Sequence, residues 1–165
     1  MGLDREVRSQ EPEVRMEAAP PGTGRIVRLL ALILRIALGV VFVYAAWVKL
    51  RTPWELFALS INSYLILPMN WVEFVAHTLP WVELVVGLGL IVGLWLRVWA
   101  TMASAMLAVF FSLMVRADVK GMEINCGCFG PGELISWKTL LRDGSLLAGA
   151  LALTCMSFLQ PRKKA

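Results

Sequence analysis

The sequence predicts an all-α integral membrane protein, a four-helix bundle with both termini on the same side. Three observations carry that expectation. Of the 165 residues, 58% are hydrophobic and the mean hydropathy is +0.69, whereas soluble domains run roughly 45–50% apolar even with glycine counted. The apolar residues fall into long runs, the first from about Ile26 to Leu50, and about 20 such residues suffice to cross a bilayer. The chain also holds seven tryptophans, a residue that gathers at membrane–water interfaces. A chain of this length makes one domain. The net charge of +4 does not point to nucleic acid, because the basic residues mostly flank apolar runs, where positive-inside bias and snorkelling account for them. There is no GxxxxGK[ST] or GxGxxG motif, and one histidine argues against a His-based metal site.

Residues 1–24 are charged and proline-rich (Pro12, Pro20, Pro21), with no apolar period, and are expected to form a disordered tail. Met16 is an alternative translation start. The first span, 26–50, covers roughly 35 Å as a helix, while a cleaved signal peptide would carry only about 7–15 apolar residues. Arg35, Gly39, Phe42, Ala46 and Lys49 recur at steps of three and four and so share a face. An arginine at that depth should turn toward protein or snorkel. Thr52-Pro53 suits a helix start, and the segment from there to Leu67 is expected to be a short amphipathic helix on the membrane surface.

The second span is expected over 71–96, with Pro80, Glu83, Gly87 and Leu94 on one face and Gly89 and Gly93 forming a G-x-x-x-G packing motif. Glu83 reads as the only carboxylate well inside an apolar run. A lone ionised carboxylate is costly in hydrocarbon, so Lys49 is its expected partner, either in a structural ion pair or as a proton-handling or cofactor-contacting group. A tight turn at Leu96-Arg97-Val98-Trp99 leads to the third span, 98–115, whose Ala100, Ala103, Ser104, Ala105 and Ala108 suit close packing. A loop from Arg116 to Ser136 follows. Ser136 is expected to cap the fourth span, 137–159, and residues 161–165 form a basic tail. Cys155, near the far end of that span, is expected to be a buried, inert thiol.

Arg25, Arg28, Arg97, Arg162, Lys163 and Lys164 flank the side that holds the termini. Lys49, Arg51, Arg116, Lys120, Lys138 and Arg142 flank the other, a tie under the positive-inside rule. The tail arginines and terminal Arg-Lys-Lys tilt the expectation toward cytoplasmic termini. The 116–136 loop then faces the periplasm or exterior, the oxidising side.

That loop contains Asn125-Cys126-Gly127-Cys128-Phe129-Gly130. Two thiols one residue apart leave three chemistries open. A disulfide between them asks for Cα atoms roughly 4.4–6.8 Å apart, which is marginal for so small a ring, so the bond would be strained and exchangeable. Lys120, Lys138 and the start of the fourth helix are placed to favour a thiolate. The same thiolates suit a soft ion such as Cu(I), with Met114 and Met122 as thioether candidates, although the set is incomplete for zinc. The third reading is structural, a permanent small disulfide or two packed thiols shaping a turn. A quinone-linked thiol oxidase usually carries two cysteine pairs. With one plausible pair, this chain exchanges directly with a soluble partner, sits beside a quinone itself or turns over nothing.

From about Arg35 to Leu159 the chain resembles the MauE/DoxX group of small four-helix membrane proteins, MauE-like members in particular. The carriers are Arg35-x-x-Leu38-Gly39, Lys49-Leu50-x-x-Pro53-x-x-x-Phe57, Tyr64-x-x-Leu67-Pro68, Leu79-Pro80-Trp81-x-Glu83-Leu84-x-x-Gly87 and, most specifically, Cys126-Gly127-Cys128-Phe129-Gly130. The resemblance implies a multi-pass protein of the bacterial inner membrane. It implies a redox role for Cys126 and Cys128, exchanging electrons with a periplasmic thioredoxin-like partner during maturation of disulfide-containing periplasmic proteins. MauE itself is tied to the disulfide-rich small subunit of methylamine dehydrogenase. Lys49 and Glu83 match family positions without an established role, and Arg35 joins them as a supporting residue. Two readings from other classes stand beside this one: a non-catalytic assembly factor that docks a partner through its loops, and a Cu(I)-handling membrane protein. No cofactor is required by the motifs, and a quinone is the candidate if there is one.

Overall fold

The computed structural model describes residues 23–122, 124 and 135–159. Among them are five helices and no strand: α1 Thr23–Arg51, α2 Trp54–Asn62, α3 Met69–Val92, α4 Leu96–Val119 and α5 Trp137–Leu159. Four of these, α1, α3, α4 and α5, are long and apolar enough to cross a membrane. The protein is an all-helical, multi-pass membrane protein.

Cross-helix contacts give the direction of each pass. Arg35 of α1 meets Ile91 of α3, and fourteen residues later Lys49 meets Glu83, so α1 and α3 are antiparallel. Arg97 of α4 meets Ser157 of α5 and Ser104 meets Thr154, so these two are antiparallel as well. The start of α1, the α3–α4 turn and the end of α5 therefore share one end of the bundle, with Thr23 and Leu159 on the same side. The end of α1, all of α2, the end of α4 and the start of α5 lie toward the other.

Each spanning helix has an inward and an outward stripe. On α1, Leu38, Phe42, Ala45, Ala46 and Lys49 are buried, while Ile36, Val40, Tyr44 and Trp47 point outward. Both stripes follow steps of three and four, and an apolar outer stripe suits lipid as solvent. The face that joins Arg35 to Lys49 in the sequence is the inward one. The main core joins Leu38 and Phe42 to Val86 and Leu90 of α3, Ala100 and Ala103 of α4, and Ala150 and Leu153 of α5. A second cluster seats α2 on the first half of α3 through Phe57, Ala58, Val72 and Ala76. Six tryptophans (Trp47, Trp54, Trp71, Trp81, Trp95, Trp137) point outward, as an interfacial belt requires.

Close approach of α1 and α3 rests on two glycines. A Cβ on Gly39 would lie 2.9 Å from the Gly87 carbonyl oxygen, and one on Gly87 would lie 2.9 Å from the Gly39 carbonyl oxygen. Small residues at facing positions let helix backbones touch in this way.

The α3–α4 turn differs from the sequence expectation. α3 stops at Val92, with Gly93 as its left-handed C-cap at φ 76°, and α4 already begins at Leu96 after Trp95. Gly93 is thus a helix terminator, a role its missing Cβ suits, and Leu94 falls in the turn, exposed, instead of continuing the face of Pro80, Glu83 and Gly87. Gly89 does pack closely, against the Trp99 ring. At the start of α5, the Thr139 amide donates to Ser136 Oγ at 3.4 Å and the Ser136 amide donates to Thr139 Oγ1 at 2.8 Å, a reciprocal cap. Cys155 is exposed on the outer face of α5, not buried as expected, because Leu153 and Ser157 take the inward positions around it.

Candidate functional site

Lys49 sits in the last turn of α1, on the inward stripe, and is 4% exposed. Its Nζ donates to both oxygens of Glu83, at 2.7 and 2.9 Å. Glu83 is equally buried, one turn beyond Pro80 on α3. The ammonium also lies 5.4 Å from the ring centre of Phe57 on α2 and 5.8 Å from that of Phe110 on α4, within range of a cation–π attraction. One side chain therefore touches α2, α3 and α4 from its place on α1.

The pair borders a cavity of about 40 Å³, lined also by Phe42, Met106, Phe111 and Asp143. Asp143 is a second buried carboxylate on a spanning helix, although it does not stand inside an apolar run as Glu83 does: it lies in the second turn of α5 and is 5% exposed. Its Oδ1 accepts from Arg142 Nε at 3.0 Å. Its Oδ2 is buried, with no hydrogen-bond partner among the described residues. The sequence held little signal for it, since Asp143 follows Lys138, Thr139 and Arg142 and precedes Gly144 and Ser145, whereas Glu83 stands among apolar residues. Phe110 gave no signal, being one apolar residue among many.

Arg35 lies elsewhere. It is fourteen residues before Lys49, about 21 Å along the helix axis, and its Nη2 donates to the Ile91 carbonyl at 3.3 Å. Gly93 leaves the room its guanidinium occupies. Arg97 does the same for α5, donating to the Ser157 carbonyl at 2.9 Å. Each guanidinium satisfies a carbonyl at the negative end of a helix, so the structure separates Arg35 from the Lys49–Glu83 site and gives it a capping contact. Cys126 and Cys128 lie outside the described residues.

Beside the charged site runs a larger cleft of about 500 Å³ between α2, α3 and α4, lined by side chains that include Ile61, Tyr64, Leu67, Leu79, Val109 and Leu113. Met106 and Phe110 border both the cleft and the cavity. Its lining is almost wholly apolar, with a volume in the usual range of roughly 300–1,000 Å³ for small-molecule sites.

Four spanning helices around a buried, aromatic-flanked Lys–Glu pair define a small polytopic membrane protein whose polar groups are turned inward, the arrangement that marks functional positions in membrane bundles. The family model described as methylamine utilisation protein MauE matches residues 27–156, and the chain belongs to that family. A curated relative, the methylamine utilization protein MauE of Paracoccus denitrificans, is 37% identical over 123 residues, covering 73% of this chain and 66% of the relative. No solved structure matches the chain.

Proposed function

We propose that this protein is a MauE-type thiol–disulfide redox protein of the bacterial inner membrane, with Cys126 and Cys128 as its redox pair. The observation that carries the reading is the Cys126-Gly127-Cys128 motif in the segment joining α4 to α5, inside the 27–156 family match. Its partner is a periplasmic thioredoxin-like protein, and its role is maturation of disulfide-containing periplasmic proteins. The name of the Paracoccus denitrificans relative makes the methylamine utilisation system the first place to look for that partner. The termini lie in the cytoplasm and the cysteine segment faces the periplasm, where disulfides persist.

The exchange balances without another reagent. A thiolate of the pair attacks the partner's disulfide, the second cysteine resolves the mixed disulfide, and the pair ends oxidised while the partner gains two electrons and two protons. The reverse reaction oxidises a partner's dithiol. Lys49 and Glu83 support this chemistry by holding the end of α1 against α3 and beside α2 and α4, the last of which leads into the segment with the motif. A quinone is the candidate second partner, and the apolar cleft bordered by Phe110 fits a lipid-soluble molecule of that kind. Bound there, it would supply a two-electron, two-proton acceptor.

Replacing Cys126 or Cys128 with serine is expected to abolish thiol exchange with the partner while the bundle stays folded. Partner oxidation retained in both variants would sink the redox reading. It would favour a docking factor, for which substitutions on loop surfaces, and not at the cysteines, would cause the loss.

A further inference from the structure

We propose that Asp143 is the third member of the Lys49–Glu83 site and that the cavity between them binds water, which bridges the two carboxylates. The Asp143 side chain is 7% exposed, and Arg142 engages only Oδ1 in the described contacts. Its Oδ2 is a buried acceptor with no protein donor among the described residues, a condition that costs free energy unless a donor is supplied. Asp143 and Glu83 line the same cavity of about 40 Å³. A water molecule needs a space of only about 10–15 Å³, together with a minimum of about two polar partners, so the cavity is large enough for at least one. Glu83 accepts one Lys49 proton at each oxygen and keeps a lone pair on each for a further donor. In the proposed bridge a water would donate one hydrogen to Asp143 Oδ2 and the other to Glu83. In the rest of the lining, Phe42, Ala45, Phe110 and Phe111 among others, the Met106 thioether is a weak acceptor and no other side chain accepts. Such a bridge gives a proton a route between the α3 and α5 carboxylates. The assignment does not depend on the cysteine chemistry.

Infrared spectroscopy of the full chain in lipid nanodiscs tests this. Asp143→Asn and Glu83→Gln identify the carboxyl bands of the two residues. The bridge predicts that Glu83→Gln shifts the Asp143 band, and that Ala45→Leu, which fills the cavity and keeps every charged group, abolishes that shift. Ala45→Val serves if the leucine variant does not fold. An Asp143 band indifferent to Glu83→Gln would overturn the proposal. So would a shift that survives filling of the cavity, since the two carboxylates would then communicate without water.

Discussion

Lys49 shows how much one side chain decides in this bundle. Its side chain is 2% exposed, with the ammonium bonded to Glu83, and removing one partner of a buried ion pair typically costs about 3–5 kcal/mol because the other charge is left unpaired. Replacing both with apolar groups of similar volume is often close to neutral. Lys49→Met and Glu83→Met are each expected to lower thermal stability in detergent by that magnitude, and the double variant is expected to recover most of it. A double-mutant cycle measures the coupling. If the pair also serves the function, the recovered double variant stays inactive. Full activity there would make the pair purely structural. The Lys49–Glu83 pairing was legible because both residues stand out against apolar runs at helical spacing from small or aromatic neighbours. Asp143 was just as charged, but it sits in the second turn of α5 beside Arg142, one of the basic residues that flank the membrane. Burial of Cys155 was misjudged because a cysteine carries no sign of which face it occupies.

At the scale of elements, the packing of α1 on α3 and the stop of α3 are set by three glycines. Gly87→Ala would push a methyl to 2.9 Å from the Gly39 carbonyl oxygen and the Val43 amide, and overpacking of this kind costs about 1–3 kcal/mol. The helices would separate, so loss of stability should be accompanied by weakening of the Lys49–Glu83 contact on the same two helices. Gly93→Ala tests a different term. A left-handed conformation costs a non-glycine residue about 1–2 kcal/mol, and the new methyl would displace the Arg35 guanidinium. A thermal unfolding midpoint lowered in both variants is expected, with Gly93→Ala little affected by further replacement of Arg35 because its contact is already lost. Spacing alone could not separate these roles. Gly89 and Gly93 look alike in a G-x-x-x-G pattern, yet one faces the Trp99 ring and the other ends the helix. For the short α2, Thr52-Pro53 ahead of a mixed apolar run gave the start and the helical type, while the helix ends at Asn62, short of the expected Leu67.

For the whole molecule, four passes bring the α1–α2 junction, the end of α4 and the start of α5 toward one end, so Val119 and Trp137, the helix ends that flank Cys126 and Cys128 in the sequence, lie on the same side as α2. Length and hydropathy made this architecture legible, because about 20 apolar residues per helix leave few alternatives in a bilayer. Orientation was not legible to the same degree, since basic residues flank both ends. The most direct test of the central claim is the thiol state of Cys126 and Cys128 in intact cells, read by mass shift with a membrane-impermeant maleimide in a Cys155→Ser background, which removes the exposed thiol on α5. Labelling of both cysteines is expected only after mild reduction, the mark of an exposed, exchangeable disulfide on the outer face. Labelling that requires permeabilised cells would contradict it, placing the pair on the cytoplasmic side and removing the periplasmic exchange on which the proposed function rests.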